Sequence, residues 1–422
     1  MQTLRIGDTG AEVALLQKGL NRAGASLVTD GIFGPATERA VRAFQGRQGL
    51  TADGIAGPLT ERALAPWYRG YAIHTIRRGD TLWRLAARYD TTLLALETAN
   101  PALDPFDLRI GQSIVVPFSF PVVPTDIPYS SSLVAYCVQG LAARYPFIQT
   151  ETIGKSVLGL PIYAITLGEG TRRVIYNAEH HANEWITVPL LLRYTEELAY
   201  AAAAGERVFG YTAEEILFQS RITLIPAVNP DGLDLINGVL RGAVYDRAEA
   251  IAADYPAIPF PDGWKANIRG VDLNLQYPAE WERAREIKFS QGFISPAPRD
   301  YVGTAPLTEP ESVALYTYTR RENPALILAY HTQGEVIYWK YLDREPEGSR
   351  ALAQRFAAVS GYTYEETPYA SGFAGYKDWF IQDFDRPGYT IEAGAGENPL
   401  PLSQFDSIYA ANRGILTLAA IG

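Results

Sequence analysis

An α/β fold, a sheet covered by helices and preceded by two small modules, is predicted by three observations. Beyond residue 129, short apolar runs alternate with helix-period patterns. Near the start, the segment Asp30 to Ala40 recurs 23 residues later as Asp53 to Ala63. Between these regions, residues 71–118 read as strand, helix, helix, strand. A chain of 422 residues also exceeds one ordinary core, so several domains are expected.

In the repeated segment each copy places a Gly-rich turn before Pro and Thr, then Glu and Arg open an apolar-periodic stretch, the pattern of a turn and a helix start. Val13, Leu16 and Leu20, then Ala40, Val41, Phe44 and Leu50, supply its buried faces. Residues 1–66 form this helical module. In residues 71–118, Asp80 is the expected helix N-cap, and Leu82, Leu85, Ala86 and Tyr89 share one helical face. Pro121, Pro124 and Pro128 mark residues 119–128 as a linker.

Residues 129–422 then carry strand candidates at 161–167, 173–177, 222–227, 325–330 and 388–391. Helical patterns at 188–202 and 310–321 lie between them.

Composition limits the function. With 47% hydrophobic and 20% charged residues the chain has globular composition, and no apolar run approaches the roughly 18 residues that span a bilayer, so no integral membrane segment is expected. A formal charge of -10 and a pI near 5.1 exclude a general nucleic-acid binder, which needs a basic face. The single cysteine, Cys137, is expected as a small buried apolar side chain. No secretory signal is visible, so the expected compartment is the cytoplasm.

Histidine is scarce, with four in the chain at 74, 180, 181 and 331. His181 and Glu184 are spaced so that one turn of helix brings both side chains to one side, and they follow a strand candidate, where open α/β sheets build sites. Zinc accepts imidazole and carboxylate, and a catalytic site keeps three protein ligands. His331, directly after the apolar run ending at Tyr330, is the natural third. Alone, the pair also fits a surface turn, and His180 competes with His181. His74 is expected to be structural or exposed, while Asp231 and Asp272 are either turn formers or partners that orient an imidazole.

Five motifs stand in order: NAEHHANEWIT (177–187), NPDG (229–232), GWKANIRGVDLN (263–274), AYHTQG (329–334) and YTIEAG (389–394). The series resembles the zinc carboxypeptidase superfamily, which implies a mixed sheet flanked by helices and one zinc per catalytic domain on His181, Glu184 and His331. It further implies Glu392 as general base, Arg269 as oxyanion stabiliser, Asn274 as a substrate-binding residue, and Tyr369 as the mobile tyrosine, one residue out of the usual spacing.

The family's exopeptidases carry an arginine where this chain has Leu275, and that residue clamps a terminal carboxylate. The closer resemblance is to bacterial γ-D-glutamyl-L-diamino acid endopeptidases. It implies cleavage between γ-D-glutamate and meso-diaminopimelate or lysine in peptidoglycan stem peptides. The alternatives are a wall-peptide metallocarboxypeptidase using another cation, such as Arg241 or Arg247, and a non-catalytic wall-binding protein.

The N-terminal modules fit this reading. DGIFGPATERAVRAFQ resembles a peptidoglycan-binding helical domain, while RRGDTLWRLAARY with LRIGQSIVVP resembles a lysin motif of βααβ order that binds N-acetylglucosamine polymers. The implied partners are therefore peptidoglycan glycan chains and stem peptides, met by wall association in sporulating or lysing cells.

Overall fold

The computed structural model describes residues 3–422. Its first module packs three helices, α1 (Ala11–Arg22), α2 (Pro35–Arg47) and α3 (Pro58–Arg69). The two sequence repeats fold alike. Gln17 Nε2 reaches Asp30, the Ile32 carbonyl and Thr37, and Gln45 Nε2 reaches Asp53, the Ile55 carbonyl and Thr60, all at 2.8–3.1 Å. Each turn needs glycine, because Gly31 (φ 71) and Gly54 (φ 77) lie in the left-handed region. Each amide then donates to the same glutamine's carbonyl oxygen.

The second module pairs β1 (Tyr71–Thr75) antiparallel with β2 (Ser113–Pro117) around α4 (Leu82–Tyr89) and α5 (Leu93–Ala99). Thr81, not Asp80, caps α4, its side chain accepting from the Arg84 amide. Asp80 instead accepts from the Arg77 amide and pairs with buried His74 at 2.8 Å, while His74 Nδ1 meets the Tyr89 hydroxyl. A carboxylate engaged by an imidazole is not available to cap.

The rest is a mixed eight-stranded sheet flanked by helices. Its strands are β3 (Gln149–Lys155), β4 (Pro161–Leu167), β5 (Arg172–Ala178), β8 (Ser220–Ile225), β9 (Leu326–His331), β10 (Val336–Tyr338), β11 (Thr363–Glu365) and β12 (Gly388–Glu392). Two-residue strands β6 (Arg207–Val208) and β7 (Tyr211–Thr212) form a separate hairpin. The order is β11-β10-β12-β9-β5-β8-β4-β3, and β12, β9, β5 and β8 run parallel. Those four, with antiparallel β4, are the apolar runs of the sequence. Parallel central strands are covered on both faces, so they read as continuous hydrophobic segments. The edge strands β3 and β11, and β10 between β11 and β12, are polar or short and carry no such signal; β3 is QTETIGK, largely exposed. No helix among the described residues is long and apolar enough to cross a membrane.

The modules are not loosely strung. Leu4, Leu16, Phe44 and Tyr68 of the first belong to the same buried cluster as Leu133, Cys137 and Leu141 of α6 (Ser131–Arg144). Residues 119–128 form neither helix nor strand but are packed, with Val122, Val123 and Ile127 buried. Two charged groups hold them. The buried Arg144 donates to the carbonyls of Gly70, Phe118 and Phe120, and buried Glu196 of α7 (Thr187–Ala204) accepts from the Val122 and Val123 amides. The expected linker is thus a fixed strap, because its backbone polar groups have buried charged partners.

Arg144→Met keeps the aliphatic volume but strands three carbonyls, so it should lower unfolding free energy by about 3 kcal/mol. It should also open residues 119–128 to proteolysis. Urea unfolding and limited digestion check both; unchanged stability with an uncut strap would show that Arg144 does not hold it.

Candidate metal centre

Three adjacent parallel strands deliver the site at their carboxyl ends. β9 ends on His331 and β12 on Glu392, and the two residues are paired in register. The chain leaving β5 turns at Glu179, a non-glycine residue in the left-handed region (φ 59), and then presents His180 and His181. A single 3-10 turn, Ala182–Glu184, brings Glu184 back beside His181. Such a strained exit is tolerated where surrounding structure fixes it.

The donors of His181, Glu184 and His331 lie within 4.8 Å of one another. Glu184 Oε1 is 3.0 Å from His181 Nδ1, its Oε2 is 2.8 Å from His331 Nδ1, and the two Nδ1 atoms are 3.2 Å apart. Asp272 Oδ1 accepts from His181 Nε2 at 3.1 Å, which places that ring's proton on Nε2 and aims the Nδ1 lone pair inward. A buried carboxylate converging with two imidazole nitrogens needs positive charge among them, either a proton on an imidazole or a bound cation. The donor set therefore fits a divalent metal, with nitrogen and oxygen ligands of the kind zinc accepts.

Electrostatics follow the geometry. Burial works against the Glu184 charge, but Lys265 and the two imidazoles outweigh it and hold the carboxyl well below its usual range. Lys265 Nζ lies 2.8 Å from Glu184 Oε1. Burial lowers the His181 imidazole, yet Glu184 and Asp272 push it up to about 9. For Glu392 burial prevails, with the Glu184 charge adding to it, so its carboxyl sits above the usual range.

His180 lies outside the group of converging donors. It is buried, its Nε2 meets the Tyr277 hydroxyl at 3.0 Å, and its ring stacks on His331. Burial and the neighbouring imidazoles keep it neutral. Of the two aspartates, Asp272 orients His181, whereas Asp231 binds Ser156 and the Leu158 amide as part of a turn.

A pocket of about 210 Å³ opens over these groups. His181, His331, Glu392, Asn274 and Leu275 line it. Leu275 packs with Trp281 and Phe373, and Asn274 Oδ1 accepts from the Tyr376 amide. Arg269 is not brought to the pocket; its side chain is 55% exposed and faces Glu309 at 3.5 Å. Tyr369 is also elsewhere, 61% exposed, its hydroxyl held by Arg283 at 2.8 and 3.0 Å. Neither Arg241 nor Arg247 lines the pocket.

Its cations are Lys265, Lys288, Arg299 and Lys377, none of which the sequence reading singled out. Lys265 lies in the same GWKANIRG motif as Arg269. Its position next to buried Trp264 was the available signal.

Comparison with known proteins agrees in organisation. Residues 134–413 match the zinc carboxypeptidase family model, residues 9–64 a peptidoglycan binding domain, and residues 74–117 a LysM domain. Gamma-D-glutamyl-L-diamino acid endopeptidase 1 of Lysinibacillus sphaericus is 42% identical over 395 residues, covering 81% of this chain and 97% of the relative. The uncharacterized protein YqgT of Bacillus subtilis strain 168 is 40% identical over 292 residues, 68% of this chain and 76% of that one. Among solved structures, carboxypeptidase A from Helicoverpa armigera shares the fold, with TM-score 0.54 and 17% identity over 99% of each chain.

Asp272→Asn leaves the three donors intact but weakens the acceptor that fixes the His181 ring. It should reduce divalent-metal affinity by roughly tenfold to a hundredfold, while His181→Ala should abolish tight binding. Chelator competition measures both, and wild-type affinity in Asp272→Asn would mean that the ring is oriented by something else.

Proposed function

The chain belongs to the zinc carboxypeptidase family, and from that membership we propose that it hydrolyses the amide between γ-D-glutamate and the diamino acid of bacterial wall stem peptides. The observation that carries the reading is Leu275, an apolar residue in the pocket wall where the family's exopeptidases need a carboxylate clamp. Burying a terminal carboxylate against it unpaired would cost several kcal/mol. The relative named an endopeptidase, matched along 97% of its length, supports the same substrate class.

In this reading His181, Glu184 and His331 hold one zinc. Bound there, zinc supplies Lewis acidity toward a carbonyl and toward water. Glu392 takes the proton of the attacking water and passes it to the leaving amine, a double duty suited by a carboxyl raised above its usual range. Negative charge growing on the carbonyl oxygen needs a cation within the pocket. Lys265 fills the role that the sequence assigned to Arg269. Asn274, fixed by the Tyr376 amide, lines the substrate side.

The N-terminal modules are proposed to bind glycan chains of the same polymer. The second module exposes Trp83 and Phe106, 71% and 97% accessible, large apolar side chains suited to stacking on sugar rings.

Glu392→Gln should keep zinc yet lose turnover by about a thousandfold. Wild type should release L-Ala-D-Glu from defined stem tripeptides and tetrapeptides. Chromatography of the products tests this, and release of single C-terminal residues without that dipeptide would favour the carboxypeptidase alternative. The double variant Trp83→Ala/Phe106→Ala should co-sediment less with purified peptidoglycan while cutting soluble stem peptides at the wild-type rate. Equal co-sedimentation would remove the second module from wall binding.

A further inference from the structure

Three of the four cations lining the pocket are matched by carboxylates. Lys265 is 2.8 Å from Glu184, Lys288 is 2.5 Å from Asp300, and Lys377 is 2.7 Å from Asp378. Arg299 has no carboxylate of its own. It shares Asp300 with Lys288, its Nε 2.8 Å from Asp300 Oδ2 while Lys288 takes Oδ1. Two positive charges thus rest on one negative charge at the rim of a pocket that also holds His181, His331 and Glu392.

The way Arg299 is held determines what it offers. Contact through Nε alone fixes the guanidinium plane and leaves its outer edge free; among the described residues, neither terminal nitrogen makes a hydrogen bond. That edge is the part that takes a carboxylate through two parallel hydrogen bonds. The side chain is 41% exposed, open to a ligand yet constrained by a carboxylate that a buried lysine also holds.

The backbone is fixed to the metal centre as well. Asp300 is a non-glycine residue in the left-handed region (φ 65), and its amide donates to Asp272 Oδ2, whose other oxygen orients His181. One residue before Arg299, the Pro298 carbonyl accepts from the Lys265 and Ala266 amides at 2.7 and 2.9 Å. Arg299 is therefore in register with both the cation at the scissile carbonyl and the ligand-orienting aspartate.

We infer that Arg299 is the specificity-determining residue that binds a substrate carboxylate, doing from the neighbouring segment what Leu275 cannot. The inference rests on the stem-peptide reading above. Two carboxylates of a γ-D-glutamyl stem peptide lie within a few bonds of the scissile amide: the α-carboxylate of D-glutamate and that of the diamino acid. Both present the same planar anion to the guanidinium.

The test compares three substrates with the zinc-loaded full chain. They are L-Ala-γ-D-Glu-diaminopimelate, the same peptide with D-isoglutamine in place of D-glutamate, and the same peptide with the diamino acid's α-carboxyl amidated. Wild type should prefer the parent over one of the two amides by roughly tenfold to a hundredfold in kcat/KM, and that amide identifies the carboxylate. In Arg299→Gln that ratio should fall close to one. In Arg299→Lys, which keeps the charge but loses the fork, it should be intermediate, and this graded response separates recognition from a folding defect.

Arg299→Gln retaining the wild-type ratio, or lowering kcat/KM equally on all three peptides, would overturn the inference while leaving the proposed reaction standing. Wild type cutting none of the three would overturn the stem-peptide reading itself.

Discussion

The arrangement of this site depends on keeping one carboxylate charged inside the protein. Glu184 is 1% exposed, and an ion so placed is tolerated only when every lone pair facing the interior has a positive or polar partner. His181, His331 and Lys265 supply those partners. Each comes from a different part of the chain, so the carboxylate is satisfied only when β5, β9 and the 263–274 segment are in place together. The parallel order of β12, β9 and β5 provides this, because side chains at the ends of neighbouring parallel strands lie side by side.

The same requirement extends outward. Asp272 holds His181, the Asp300 amide holds Asp272, and Lys288 with Arg299 neutralises Asp300. Each buried charge is answered by the next, and the sequence of answers ends at Arg299, where the pocket opens. A site built this way couples metal geometry to substrate recognition without a flexible element between them. It also explains why a cation far along the chain, rather than residue 275, lies at the pocket rim.

Much of the fold was legible because its signals are physical necessities. The buried parallel strands must be apolar runs, and the turns at Gly31 and Gly54 must be glycine, so sheet core and repeat could both be read. The metal donors were legible because a strand end followed by His-x-x-Glu leaves few alternatives among four histidines. Less legible was the direction that side chains take. Arg269 and Lys265 stand four residues apart in one irregular loop, and only the folded backbone decides that Lys265 turns inward while Arg269 meets Glu309 at the surface. Tyr369 opens a single 3-10 turn, and its hydroxyl is held by Arg283, 86 residues away in sequence. Thr81 displaced Asp80 as a cap because His74 claimed the aspartate, again a non-local competition.

The strap at residues 119–128 changes how the three modules work together. A segment that is only a linker, touching neither neighbour, would let binding modules and catalytic domain sample several relative orientations. Here its backbone is bonded by Arg144 and Glu196, and the first module shares a buried cluster with α6. Module and pocket then keep a fixed relation, so attachment to a glycan chain would set which stem peptides the pocket can reach. A flexible tether raises local substrate concentration in all directions. A rigid one selects a geometry, and the wall polymer, with stem peptides at regular intervals along a glycan, is a substrate for which fixed geometry has value.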